Sequence, residues 1–169
     1  MKALISLLLC CLCTCGAALA KTPGEVEVGA ALREANLQGL TGQPRKLSSY
    51  RGKPLIINVW ASWCGPCRME MGSLERLNRR YGGKQFNLIG ISTDDYPDAA
   101  KSFLSQVKPG FSHYIDKQLE LENMLGANRL PLTLLVDAQG KVLAKFYGAK
   151  EWDSPEALEA IGRAFQVKF

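Results

Sequence analysis

Histidine is nearly absent from this sequence, which has His113 alone among its 169 residues. A single imidazole disfavours most histidine-based metal sites and a histidine-based catalytic triad. Neither sign of charge dominates, since 21 Lys and Arg stand against 16 Asp and Glu, for a formal net charge of +5. The basic residues are scattered along the chain, so the sequence predicts no nucleic-acid partner.

Long apolar runs are missing after residue 20, and so are internal repeats and low-complexity segments. The composition, with 47% apolar and 22% charged residues, is that of a folded globular protein. A chain of 169 residues can bury a core of its own and predicts one domain.

The first twenty residues have the pattern of an export signal. Lys2 supplies a short positive region, residues 3–12 form an apolar run, and residues 18–20 read Ala-Leu-Ala, a small-x-small cleavage site. We therefore expect a signal peptide over residues 1–20 and a folded domain over residues 21–169.

Two other arrangements of this N-terminus stay open. Residues 12–15 loosely resemble a bacterial lipoprotein box with Cys15 as the lipidated residue. Residues 3–20 also approach the ~18 apolar residues that span a bilayer, which would make them an uncleaved anchor. Either alternative tethers the protein to a membrane, and all three arrangements predict a periplasmic or other extracytoplasmic location.

The cysteines are distributed unevenly. Four of the six lie in the first fifteen residues, and the other two are Cys64 and Cys67, in the sequence Trp-Cys-Gly-Pro-Cys. A domain with one CxxC pair has no disulfide scaffold, and a bridge across so short a loop adds little stability. The pair is therefore interpreted as chemical rather than structural.

The apolar periodicity predicts alternating strands and helices. Predicted strands cover residues 55–60, 86–91, 113–115, 132–136 and 142–146, and a hairpin covers 34–37 and 45–47. Predicted helices run from the CxxC to about residue 81, from residue 97, over 118–125 and from residue 154. Residues 21–33 are interpreted as a polar lead-in. This order predicts an α/β sheet with covered faces and one antiparallel edge.

The position of the CxxC, between a buried strand and a helix, indicates redox chemistry. Cys64 would begin the helix, where unpaired N–H groups and the helix dipole favour a thiolate. Cys67 lies one turn further on and can attack a mixed disulfide formed at Cys64. The alternatives are half of a zinc site, a structural disulfide and two inert thiols.

Residues 58–68 read Asn-Val-Trp-Ala-Ser-Trp-Cys-Gly-Pro-Cys-Arg. This stretch closely resembles the active site of the thioredoxin-fold family, and it is most similar to the TlpA/ResA-like exported thiol–disulfide oxidoreductases. The resemblance extends over most of residues 30–166. It implies a thioredoxin-like α/β fold, with a central mixed sheet, helices on both faces, an N-terminal β-hairpin extension and an insertion before the cis-proline strand.

The resemblance also implies roles for residues around the pair. Pro131 matches the family's cis-proline, which packs beside the CxxC, and Leu130 would offer backbone hydrogen bonds to a bound peptide. Trp63 would flank the nucleophile, unless it is an ordinary core aromatic. Gly65 and Pro66 are expected to contact the substrate with it.

Three polar residues occupy positions that could affect proton transfer to the cysteines. Asn58 stands where cytoplasmic thioredoxins have a buried aspartate. Asp94 is near the place where some relatives keep an acidic residue facing the cysteines, and it is either an acid–base group or a turn or helix-cap residue. Glu70 matches a glutamate common in this branch, but we expect a solvated carboxylate near the helix N-terminus.

The resemblance predicts a protein-disulfide reductase, because the Gly-Pro between the cysteines is similar to that of reducing thioredoxins. The implied substrates are protein disulfides, such as those of apocytochrome c during cytochrome c maturation or of copper-site cysteines. The implied electron donor is a membrane thiol transporter of the DsbD/CcdA kind. We expect a monomer whose redox group is the Cys64–Cys67 pair itself, without a further cofactor or metal.

Three other functions remain as alternatives. A disulfide oxidase or isomerase would use the same residues at a different potential. A thiol peroxidase would have Thr or Ser three residues before the reactive cysteine, where this chain has Ala61. A copper-binding module could use the two thiols as ligands.

Overall fold

The strands and helices form where the apolar pattern places them. The computed structural model describes residues 22–169, so the predicted export signal over residues 1–20 lies outside the described residues. The strands are β1 (Asn36–Gly39), β2 (Arg45–Lys46), β3 (Leu55–Trp60), β4 (Asn87–Ser92), β5 (Ser112–Ile115), β6 (Leu132–Val136) and β7 (Val142–Tyr147). The helices are α1 (Gly65–Tyr81), α2 (Pro97–Val107), α3 (Glu120–Leu125) and α4 (Pro155–Phe165). Within residues 22–169, no helix has the length and apolarity needed to cross a membrane.

The strands form one mixed sheet in the order β2-β1-β5-β4-β3-β6-β7. β4 lies parallel to β3 and β5, whereas β6 is antiparallel to both β3 and β7. The N-terminal hairpin adds β1 antiparallel to β5. The prediction of a single antiparallel edge was therefore wrong, because the hairpin extends the sheet on the side opposite to β7.

Both faces of the sheet are covered, as expected. β3 is central and buried along its whole length, and its side chains alternate between two cores. Ile56 and Trp60 pack with residues of α1, α2 and α4. Leu55, Ile57 and Val59 pack on the other face with residues of α3 and of the N-terminal segment. The loop that follows β3 therefore begins at one end of the sheet, between the two packed layers.

Residues 22–33, which we name the N-terminal strap, are more than a polar lead-in. Gly29 N–H donates to Val142 O at 2.8 Å, and Val142 N–H donates to Ala30 O at 2.9 Å. Val26 and Leu32 are buried in the core on the α3 side. The strap thus pairs with the beginning of β7 at its outer edge, where the backbone groups of Val142 would otherwise be open to pairing.

His113 is a buried core residue and not part of the site described below. Its ring lies 5.5 Å from that of Trp60 and 4.5 Å from that of Phe111, measured between centroids. Neither ring nitrogen has a hydrogen-bond partner among the described residues. Burial lowers the pKa of His113 from 6.5 to about 3. The imidazole is therefore neutral in the folded protein at ordinary pH.

We expect His113 to make stability depend on pH. The unfolded chain takes up a proton as the pH falls below 6.5, whereas the folded chain does so only near 3. The free energy of unfolding should therefore fall as the pH drops through this window. Between pH ~7 and pH ~5, the wild type should lose about 2 kcal/mol more than a His113→Leu variant.

Denaturant unfolding of both proteins at the two pH values measures this difference. The carboxyl of Glu70, whose pKa is raised by burial, acts in the opposite direction in both proteins and cancels in the comparison. Equal pH dependence in the wild type and the variant would contradict the prediction.

Candidate active site

The cysteine pair lies at the junction of the central strand and its following helix. β3 ends at Trp60, and Cys64 is the N-cap residue of α1. Cys64 and Cys67 are joined by a disulfide, with 2.02 Å between the sulfurs and 5.3 Å between the Cα atoms. Local sequence accounts for this helix start, because Pro66 in the first turn has no N–H to leave unpaired.

The Cys64 sulfur occupies the place of a helix cap. Its Sγ accepts a hydrogen bond from the backbone N–H of Cys67 at 3.2 Å. In the reduced pair, this N–H and the positive end of the α1 dipole stabilise a negative charge on that sulfur. The geometry can therefore support a nucleophilic thiolate at Cys64.

The two cysteine residues differ in exposure. Cys64 is 6% exposed, whereas Cys67 is fully buried in the core beneath it. An external disulfide can meet the first cysteine, and the second is reached from within the protein. The assignment of Cys64 as attacking and Cys67 as resolving residue, predicted from their order, agrees with this asymmetry and stays a prediction.

A cleft of about 460 Å³ opens beside Cys64. Trp63 and Pro66 line one side of this cleft, and residues 127–130 line another. Trp63 is 72% exposed, so the alternative of an ordinary core aromatic was wrong. Gly65, the first residue of α1, is exposed next to it.

The peptide bond between Leu130 and Pro131 is cis, as the resemblance implied. Leu130 lines the cleft together with Cys64, and the Pro131 carbonyl accepts a hydrogen bond from Gly148 N–H at 2.9 Å. The residue before the proline thus faces the same space as the reactive sulfur. The roles of Leu130 and Pro131 toward a substrate remain predictions.

Asp94 supports the loop that precedes Cys64. Its carboxylate accepts hydrogen bonds from Ser62 N–H at 2.9 Å, from Ser62 Oγ at 2.6 Å and from Ser92 Oγ at 2.7 Å. Arg68 also contacts this loop, since its guanidinium donates to Ser62 O at 3.3 Å. These contacts give Asp94 a structural position next to the site, and its predicted acid–base role is untested.

Glu70 is not the solvated carboxylate that we expected. Only 2% of the residue is exposed. One carboxylate oxygen accepts from Asn58 Nδ2 at 2.7 Å. The other oxygen accepts from Trp152 Nε1 at 3.0 Å and from Lys150 N–H at 3.2 Å. The helix therefore carries Glu70 into the core on the side of Cys67, instead of into solvent.

Burial raises the pKa of Glu70, although the hydrogen bonds from Trp152 and Asn58 oppose the shift. A carboxyl with a raised pKa can exchange a proton nearer to neutral pH than an exposed one. Helical spacing could have revealed this position, since Glu70 follows Cys67 by three residues and precedes Leu74 by four, on one helix face. The sequence interpretation instead expected Glu70 to be a solvated carboxylate near the helix N-terminus.

Two further acidic residues line the cleft. Glu122 of α3 and Asp95 line the cleft beside Thr93. Burial and the nearby Asp116 carboxylate raise the pKa of Glu122. Glu122 is distant from the CxxC along the chain, so only the packing of α3 beside the site brings it to the cleft.

Comparisons with known proteins agree with this site. The family model described as Redoxin matches residues 27–161. The thiol–disulfide oxidoreductase ResA of Bacillus thuringiensis is 31% identical over 124 residues, which cover 73% of this chain and 72% of the relative. ResA of Geobacillus thermodenitrificans is 31% identical over 117 residues, covering 69% of this chain and 67% of the relative.

The solved structures include a similar protein from Chlorobium tepidum, named a thiol:disulfide interchange protein DsbE. It superposes with a TM-score of 0.76 at 29% identity, covering 83% of this chain and 99% of that one. The family match spans most of the folded domain. Both ResA relatives are named thiol–disulfide oxidoreductases. The chain therefore belongs to the redoxin family and is a thiol–disulfide oxidoreductase.

Proposed function

We propose that this protein reduces disulfides of exported proteins by a dithiol–disulfide cycle of Cys64 and Cys67. One observation carries the proposal: the Cys64 sulfur caps α1, accepts the Cys67 N–H and opens onto the cleft. A thiolate in this position is both stabilised and accessible.

The cycle transfers two electrons from the pair to the substrate. The Cys64 thiolate attacks one sulfur of a substrate disulfide, whose other sulfur leaves and takes a proton. A mixed disulfide now joins Cys64 to the substrate. Cys67 loses its proton and attacks the Cys64 sulfur, which releases the second substrate cysteine as a thiol and closes the Cys64–Cys67 disulfide.

The second step needs a group that accepts the Cys67 proton, and we propose Glu70 for it. Glu70 is three residues beyond Cys67 on α1, so both side chains lie on one helix face. Its carboxylate is held in place by Asn58, in the middle of β3. Asp94, whose carboxylate accepts hydrogen bonds from Ser62 and Ser92, is the second candidate.

The Gly65-Pro66 dipeptide, which is similar to that of reducing thioredoxins, supports the proposed direction of electron flow. A disulfide oxidase or isomerase with the same residues is the alternative. The thiol peroxidase alternative is weaker, because buried Ala61 has no hydroxyl to offer a peroxide. Nothing in the described residues favours copper binding over thiol exchange.

The resemblance supports finer assignments of location and partners. We place the protein outside the cytoplasm, directed there by residues 1–20, where it is periplasmic or tethered through its N-terminus. Its substrates would be protein disulfides such as those of apocytochrome c or copper-site proteins. A membrane thiol transporter of the DsbD/CcdA kind would reduce it again.

The reduction potential of the Cys64–Cys67 pair tests the direction. We expect a value near or below about −230 mV, in the range of glutaredoxins and thioredoxin. Equilibration in glutathione or dithiothreitol buffers gives this value, with the fluorescence of exposed Trp63 as a readout. A value near about −120 mV would make the protein an oxidant and overturn the proposed direction.

A further inference from the structure

We propose that a largely buried ion pair between Glu25 and Lys145 positions the substrate-binding side of the cleft. The pair joins the N-terminal strap to β7. The strap and β7 together hold residues 126–131, which form the loop that ends at the cis-proline. Glu25 and Lys145 are positioning residues, since they act through this loop. The inference rests on the proposed function, in which the cleft holds a protein substrate.

The ion pair is built into the fold. The Lys145 ammonium donates to Glu25 Oε1, and the side chains of the two residues are 9% and 11% exposed. The same ammonium donates to the backbone carbonyl of Leu125 at 2.8 Å. Because desolvated charges need partners in a defined geometry, this arrangement holds the last turn of α3 to the strap and to β7.

The strap contacts the C-terminal end of α3 directly. Val26 N–H donates to Met124 O at 2.9 Å. Gly126 ends α3 with a φ of +78°, and a Cβ at this position would lie 2.1 Å from Glu25 Cδ. The Glu25 carboxylate therefore lies against the Gly126 backbone. It occupies the space that a side chain at position 126 would need.

The clamped loop continues into the cleft. Its ends are held by β7 and the residue after it, since Tyr147 Oη donates to Gly126 O at 3.1 Å and Gly148 N–H donates to Pro131 O at 2.9 Å. The residues between these ends, 127–130, line the cleft beside Cys64. A shift of the clamp would move the wall that meets the substrate and leave the cysteine pair in place.

Removal of the ammonium in Lys145→Met should therefore weaken binding of a large substrate more than it slows chemistry. We expect KM for insulin reduction to rise about tenfold while kcat stays within about twofold. The rate with glutathione disulfide, which needs little of the cleft wall, should also stay within about twofold. Lys145→Arg should restore KM, because a guanidinium can pair with Glu25.

The matched control is Glu159→Gln, which breaks the exposed pair of Glu159 with Arg163 on α4. This variant should leave KM unchanged. Hydrogen exchange of residues 124–130, measured by mass spectrometry, should be faster in Lys145→Met and unchanged in the control. Should Lys145→Met fail to fold, Glu25→Gln, which keeps the side-chain size, decides by the same measurements.

Two results would overturn the inference. One is an unchanged KM together with unchanged exchange of residues 124–130. The other is an equal loss of rate with insulin and with glutathione disulfide, which would indicate general damage. Failure of the wild type to reduce insulin would instead contradict the proposed function, and the exchange measurement would still decide whether the pair clamps the loop.

Discussion

Cys67→Ser is expected to stop the reaction at the mixed disulfide and accumulate a covalent adduct with the substrate. Cys64 is the sulfur at the cleft, so it can still attack, but no second thiol remains to release the product. Cys64→Ser should form no adduct, because Cys67 is fully buried. Each variant should lose turnover by about a thousandfold or more.

Mass spectrometry of the reduced variants after incubation with insulin measures the adducts directly. Dithiothreitol should release the insulin chain from Cys67→Ser, which shows that the link is a disulfide. The double variant lacking both thiols is the control for any other cysteine. An adduct on Cys64→Ser and none on Cys67→Ser would reverse the two roles, and an adduct on neither would exclude the dithiol cycle.

Glu70→Gln is expected to slow the resolving step about a hundredfold, so that the mixed disulfide becomes visible in the reaction of the otherwise intact protein. The variant cannot accept the Cys67 proton, although its side chain has nearly the same volume. In the wild type, the resolving rate should rise with pH as Glu70 ionises. Because burial raises the pKa of this carboxyl, the rise should occur above its ordinary value of 4.5.

The variant should lose this step of the pH profile and keep only the ionisation of the thiols. Rapid mixing of the reduced protein with insulin, followed by acid quench at a series of pH values, gives the resolving rate. A denaturant unfolding curve of the variant verifies that the core around Trp152 is intact.

Asp94→Asn provides the comparison, because Asp94 is a second buried carboxylate beside the site. We expect it to lower the rate at all pH values without removing the Glu70 step, since it disturbs the contacts with Ser62. The opposite pattern, in which Asp94→Asn removes the step and Glu70→Gln does not, would assign proton transfer to Asp94.

The start of α1 shows what local sequence can predict. A buried strand, a CxxC with proline in the first turn and apolar residues at helical spacing are all signals within one stretch of chain. They predicted a helix ending near residue 81, and the observed helix is Gly65–Tyr81. Helix caps act over a few residues, which is also why Pro97 and Ser154 marked the starts of α2 and α4.

The hydrogen-bond partners of Glu70 show what local sequence cannot predict. Helical spacing could have placed Glu70 on the face of Cys67 and Leu74, but it could not have revealed that the hydrogen-bond donors come from β3 and from residues 150 and 152. Which donors meet a buried carboxylate depends on the order of strands and on the path of distant loops. Without those donors in view, solvent was the ordinary expectation for a glutamate near a helix N-terminus.

The sequence by itself determined the α/β fold, the cysteine pair at a helix start and the class of chemistry, because periodicity, caps and the CxxC are short-range properties. Tertiary structure alone decided the hydrogen-bond donors of Glu70, the exposure of Trp63 and the clamp of Glu25 on the cleft loop. Glu25 and Lys145 are far apart along the chain, and they meet only because the strap lies on the edge of β7. Contacts of this kind follow from how complete elements pack, which no local pattern of residues encodes.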